Sequence, residues 1–315
     1  YFKVTQYFFF KQWTELKNYA NQKGIQIIGD MPIYVAADSV EVWTKPELFQ
    51  LDEERNPLFV AGVPADQFSA TGQLWGNPLY AWEEHKKQGY AWWIHRIEES
   101  FKIYDVLRID HFKGFSDYWQ VDGKAEVAKD GSWQPGPGYD LFKAVKEQLG
   151  DLPIIAEDLG NIDDKARKLL TDCNYPGMKI LQFGFEDVSG ESLDSPHYCI
   201  PHSIVYTGTH DNDVTNGWYN SLTEQQQQYT NDYTHRREDE SICQAMIRQL
   251  FATVSNTAIA TMQDVLDLPA SSRMNVPSTI GGNWQWRMQQ SDLTQDKKDF
   301  LAKMTMLYQR ANQEK

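Results

Sequence analysis

Leu107-Arg108-Ile109-Asp110-His111-Phe112 is the stretch from which the fold can be read. The run from Asp105 to Ile109 predicts a buried strand, and it stops at an acid, Asp110. Arg108 and Asp110 are two residues apart, so they share one face of an extended chain. An arginine beside an aspartate on that face favours the ionised carboxylate. The bland alternative for this pair is a structural ion pair.

The same grammar recurs on both sides. Ile25 to Ile28 predicts a buried strand ending at Gly29 and Asp30, and Pro153 to Ala156 one ending at Glu157 and Asp158. Met178 to Phe183 predicts another. Ser203 to Tyr206 leads toward His210 and Asp211, and Thr257 to Met262 toward Gln263 and Asp264. Helical spacing fills the intervals. Phe10, Trp13, Leu16 and Tyr19 mark a helix stopping near Gly24. Asp140 is placed as the N-cap of a helix closed by Gly150, and Asn161 as the cap of the next. Asp158 and Asp163 also read as capping acids. A further helix is expected over roughly 240–254.

Strands alternating with helices predict an α/β fold with a parallel sheet covered on both faces. Asp30, Asp110, Glu157, Asp211 and Asp264 each follow an expected strand, and from Asp110 onward they are spaced by 47, 54 and 53 residues. An open doubly wound sheet would line such residues along one edge. A (β/α)8 TIM barrel gathers them on one face, and repeated acids favour the barrel. Residues 38–103 are too long for a simple crossover and are expected to be an insertion between two barrel strands.

Several carboxylates gathered near one neutral ligand suit cleavage of a glycosidic bond. One carboxylate attacks the anomeric carbon while a second, held protonated, protonates the leaving oxygen. Glu157 follows Ile155 and Ala156, an apolar setting that raises a glutamate's pKa toward that of a general acid. His210 and Asp211 sit in the turn Thr207-Gly208-Thr209-His210-Asp211-Asn212-Asp213, where they can hold hydroxyl groups. His111, His210 and the acids lack the paired spacing of a metal site, and no glycine-rich phosphate loop follows a strand. No cofactor and no metal are expected.

Composition narrows the ligand. The 315 residues carry a formal charge of −14, which argues against nucleic acid or an anionic membrane as partner. A neutral ligand fits better, and 11 tryptophans offer rings for stacking on sugars. Trp92, Trp93, Trp119, Trp133, Trp284 and Trp286 sit among polar residues, glycine or proline, although packing under loops explains any one of them equally well. Cys173, Cys199 and Cys243 form neither a disulfide framework nor a zinc pattern, so a cytoplasmic location is expected. No apolar run reaches the roughly 18 residues of a membrane span. Oligomeric state is left open.

The strings together resemble the amylomaltase, or 4-α-glucanotransferase, family (disproportionating enzymes), relatives of the α-amylases. Shared segments include Gly29 to Val35, Arg108 to Phe112, Ala156 to Gly160 and Thr207 to Asn212. More specific are Gly62 to Asp66 continuing through Gly72 to Tyr80, and Met274 to Pro277 continuing through Gly282 to Arg287. The resemblance implies Asp110 as nucleophile, Glu157 as acid/base and Asp211 as transition-state stabiliser. It implies that Arg108 and His210 hold the donor sugar with Asp30 nearby. Trp75 and Asn77 would lie in one substrate-covering loop and Asn283 in a second. The implied activity is retaining transfer of α-1,4-glucan segments, with an α-amylase-type hydrolase or a non-catalytic glucan-binding fragment as alternatives. Relative to the family, the chain is expected to be an N-terminally truncated catalytic barrel over 1–315, present from about the third strand onward.

Overall fold

The computed structural model describes residues 1–65, 71–160 and 162–311. Asp66 and the expected cap Asn161 lie outside them. The chain has a mixed α/β fold in two compact units, Tyr1–Gly177 and Met178–Lys315.

The first unit opens with α1 (Phe2–Gln22), which ends where Gly24 takes a φ of +73°. None of the residues of α1 is buried. The Trp13 indole donates to the Ile103 carbonyl at 2.8 Å, and the Lys17 ammonium to that of Tyr104 at 2.9 Å. A parallel sheet follows, ordered β1 (Ile28–Met31), β4 (Val106–Ile109), β7 (Ile154–Ala156). Its first strand starts three residues later than expected and contains Asp30 rather than stopping before it. The reason is pairing: Asp30 lies opposite Arg108, and the ladder continues to Met31 opposite Ile109. Gly29 is required there, because a Cβ would lie 2.0 Å from the Tyr104 ring.

Between β1 and β4 run α2 (Val40–Thr44), β2 (Phe59–Val63), β3 (Gln73–Pro78), α3 (Trp82–Lys87) and α4 (Ala91–Ile103). After β4 come β5 (Asp117–Asp122) and β6 (Ser132–Pro135). Strands 2, 3, 5 and 6 form an antiparallel sheet ordered β3-β2-β5-β6, which the sequence reading missed. The sheet draws on both sides of β4, since Gly62 pairs with Trp119. The unit is completed by α5 (Tyr139–Leu149) and α6 (Asp164–Cys173). Asp140 does not cap α5: Gly138 does, and Asp140 in the first turn pairs with Lys86 at 2.9 Å. Asp163 caps α6, accepting from the Ala166 amide at 2.9 Å. Asp158 is not the N-cap of α6, which is Asp163; it packs against Gly177, where a Cβ would meet its carboxylate. Aromatic rings fill the core, with Trp93 against Phe115 and Phe112 against Phe142, each pair 5.1 Å between centroids.

The second unit has a sheet ordered β10 (Thr257–Ile259), β9 (Ser203–Tyr206), β8 (Gly177–Ile180), with β9 and β10 parallel. Strand β8 is shorter than expected. The Ile180 amide donates to the Asp194 carboxylate at 3.0 Å, and the chain turns into α7 (Leu181–Glu186). Then come α8 (Thr215–Ser221), α9 (Glu224–Thr234) and α10 (Ile242–Ala252). The last starts at a reciprocal Ser241–Gln244 capping box and buries Ile242, Met246 and Leu250 against Leu181, Phe185 and Trp218. Strand β10 also ends early, because Thr261 caps α11 (Met262–Val265). Asp264 is therefore helical and 2% exposed, not at a strand end. A final helix, α12, spans Gln295–Leu307.

Candidate functional site

In the first unit the parallel ladder itself carries the acids. The Asp110 amide donates to the Met31 carbonyl and the Glu157 amide to that of Ile109, both at 3.0 Å. The Phe112 amide returns to the Glu157 carbonyl at 3.0 Å. The hydrogen-bond pattern thus runs past the ends of β4 and β7 and fixes both Cα positions. Arg108 bonds Asp30 at 2.6 Å and Asp110 at 3.0 Å. Asp30 and Arg108 are register partners, and Asp110 follows on the same face, so one guanidinium serves two carboxylates. Burial opposes the charge on Arg108, yet Asp30 and Asp110 outweigh it and hold the group above its ordinary pKa. It is a permanent cation.

Glu157 differs from its neighbours. Burial pushes its carboxyl up, and the charge of Asp110 adds to this, while Arg108 and the amides of Leu159 and His111 pull it down; the result is about 7. Those amides reach its two oxygens at 2.8 and 2.7 Å. The His111 donor is aimed by an unusual backbone, φ +50° at a non-glycine residue opening a short 3₁₀ turn over Phe112–Phe115. The His111 ring is lowered to about 4 by burial and by Lys113, so it is neutral at neutral pH. It packs edge-on against Trp75 at 4.9 Å. Trp75 lies on β3, 37% exposed, and also approaches Tyr34. Asn77 on the same strand spends its amide on the Val35 carbonyl at 2.9 Å. The unit therefore assembles Asp30, Arg108, Asp110, Glu157, His111 and Trp75, with Asn77 tied to the Ile33–Val35 segment's carbonyl side.

In the second unit Asp211 stands five residues beyond β9, in a loop. The loop is closed by Asn212, whose side-chain oxygen accepts from the Thr209 amide at 2.8 Å and hydroxyl at 2.9 Å. His210 Nε2 lies 3.4 Å from Asp211 Oδ2. The Asn275 amide donates to Asp211 Oδ1 and the Arg273 guanidinium to the Asp211 carbonyl, both at 2.6 Å. These two holders were not singled out from the sequence, although the motif beginning Met274-Asn275 contained one of them. Trp284, at φ +61°, covers the His210 ring at 5.1 Å. A recess beside them is lined by His210, Asn212, Gln263, Met274 and Trp284. Asn283 turns inward on its own loop, accepting from the Val276 amide and donating to the Thr279 hydroxyl, both at 3.0 Å.

None of these residues belongs to the group that could share a cation among the described residues. That group is His95, Glu98 and Glu99, exposed along α4. The three cysteines are free thiols. Among the described residues no helix is long and apolar enough to cross a membrane.

A family model described as 4-alpha-glucanotransferase matches residues 1–294. The chain belongs to that family. A 4-alpha-glucanotransferase of Streptococcus pneumoniae serotype 4 is 52% identical over 314 residues, covering 99% of this chain and 62% of the relative. The chloroplastic/amyloplastic enzyme of Solanum tuberosum is 43% identical over 295 residues, covering 92% of this chain and 50% of its own length. Among solved structures, an amylomaltase from Streptococcus agalactiae in complex with acarbose superposes with a TM-score of 0.96 at 60% identity. That match covers 98% of this chain and 62% of the other. The chain thus spans about three-fifths of the length of these bacterial relatives.

Proposed function

We propose that the chain carries the bond-breaking residues of a retaining 4-α-glucanotransferase acting on α-1,4-glucans. The observation that carries this reading is Glu157, poised at about 7 beside an Asp110 held by Arg108. One carboxyl is available as a proton donor near neutral pH while its neighbour faces a permanent cation, which is the division of labour a retaining mechanism needs.

Asp110 attacks the anomeric carbon as Glu157 protonates the glycosidic oxygen, releasing the first product and leaving a covalent glucosyl ester on Asp110. Glu157, now ionised, takes the proton from the 4-hydroxyl of a second glucan. That oxygen displaces Asp110 and remakes an α-1,4 bond. Asp211 stabilises the cationic transition state, Arg108, His210 and Asp30 bind donor hydroxyls, and Trp75, Asn77 and Asn283 belong to loops that cover substrate. The reaction as written needs no cofactor. The strands of the two three-stranded sheets are read as part of a (β/α)8 barrel. The segment 38–103 is read as the insertion bearing the covering loop, and the location as cytoplasmic.

The test is the product profile from maltotriose alone. Transfer yields glucose together with maltooligosaccharides longer than the substrate. Glucose and maltose without longer products would assign a hydrolase, and glucan binding without turnover would assign a binding fragment.

A further inference from the structure

Asp264 was expected at a strand end facing ligand, and it is instead buried within α11. A buried carboxylate is costly unless its oxygens are bonded. Both are. Oδ2 accepts from the Thr207 hydroxyl at 2.6 Å, and Oδ1 from the Thr215 amide at 2.8 Å. Thr207 and Thr215 are themselves fully buried. Thr207 is the first residue after β9, and Thr215 is the first residue of α8. Between them runs the segment that holds His210 and Asp211. One carboxylate therefore ties together both ends of that loop.

The loop gets further support from the same stretch of chain. Arg273 and Asn275, which grip Asp211 directly, follow Asp264 by nine and eleven residues. The Gln263 amide donates to the Ser272 carbonyl at 3.2 Å and so folds that stretch back toward α11. On the other side the Gln182 amide donates to the Asp213 carbonyl at 2.9 Å. We infer that Asp264 is a positioning residue: it clamps the two ends of the 207–215 loop and thereby aims Asp211 and His210, without touching substrate. The inference rests on the proposed glucan transfer only for its kinetic consequence.

The experiment compares the chain with its Asp264→Asn, Thr207→Val and Thr207→Ser variants. Amide hydrogen exchange is read at 208–214, with 203–206 and 242–252 as internal references. The Asn variant gives up one acceptor oxygen, and the Val variant removes the hydroxyl at nearly constant volume. Each should speed exchange at 208–214 by about tenfold or more while the reference amides move little, and the Ser variant, which keeps the hydroxyl, should match the parent chain. In turnover of maltotriose, kcat should fall by about ten- to a hundredfold with KM nearly unchanged, the size expected when a reacting group is slightly misplaced. Unchanged exchange at 208–214 would overturn the clamp. So would acceleration equal to that of 242–252, since that marks general loosening. A parent chain that does not turn over glucan defeats the functional reading, and the exchange measurement still decides the clamp.

Discussion

The carboxylates of the two units are held in different ways. Asp110 and Glu157 sit one residue beyond their strands, and the sheet's own backbone bonds fix them. Asp211 sits five residues beyond its strand, and among the described residues it is held through side chains, including Asn275 on its carboxylate, Arg273 on its carbonyl, His210 beside its carboxylate and Asn212 across the turn. A strand-end acid inherits the rigidity of a cooperative ladder. A loop acid depends on each bond separately, so its geometry is easier to lose by a single substitution.

The largest expected effect tests the first unit. Asp110→Asn should cut turnover by about three orders of magnitude or more while leaving the thermal transition close to that of the parent, because it removes the nucleophile without disturbing the ladder. A variant keeping more than about a tenth of the parent rate removes Asp110 from that role.

The contrast itself is tested by Asn275→Ala. With one of its holders gone, Asp211 should lose its aim, and kcat should fall by about ten- to a hundredfold. Steady-state kinetics at unchanged KM would read this out. A negligible change would mean that the loop acid is as rigidly held as the ladder acids.

Glu157 supplies a pH signature. Its acid form is lost as pH rises through about 7, so the chemical step should decline about tenfold per pH unit on the alkaline side. The sign for stability follows from the same shift. A carboxyl raised from 4.5 to about 7 on folding makes the folded state the tighter proton binder, so stability falls as pH rises across that window. In denaturant titrations between those pH values, Glu157→Gln should show a flatter dependence than the parent. An identical slope would show that Glu157 is not raised.

The smallest effect lies at a helix cap. Asp163→Ala removes the α6 cap and the partner of Lys113 at 3.3 Å, and should cost about 1 kcal/mol, read as a lower denaturation midpoint. No measurable change would mean that water replaces the cap at no cost.

Local pattern was enough to locate the strands of the two three-stranded sheets, because each is a short apolar run bounded by turn residues, but among the helices it located only α1, α5, α6 and α10. All six were placed within a few residues. The antiparallel sheet escaped, since β2 and β5 have weak alternation and owe their pairing to partners far along the chain, Gly62 opposite Trp119. Capping acids were equally hard to rank: Asp163 caps α6, while Asp140 falls two residues past the α5 cap and Asp158 five residues before the α6 cap.

Residue type and a period of two were enough for the family, for the approximate positions of the strands of the two three-stranded sheets and for the strand face shared by Arg108 and Asp110. Tertiary structure decided what each acid experiences. Asp30 became a register partner of Arg108, Glu157 was raised by burial and by Asp110, and Asp264 was withdrawn from the surface to hold Thr207 and Thr215. A carboxylate's pKa and its partners are properties of the atoms packed around it, and those atoms come from segments that no local window contains.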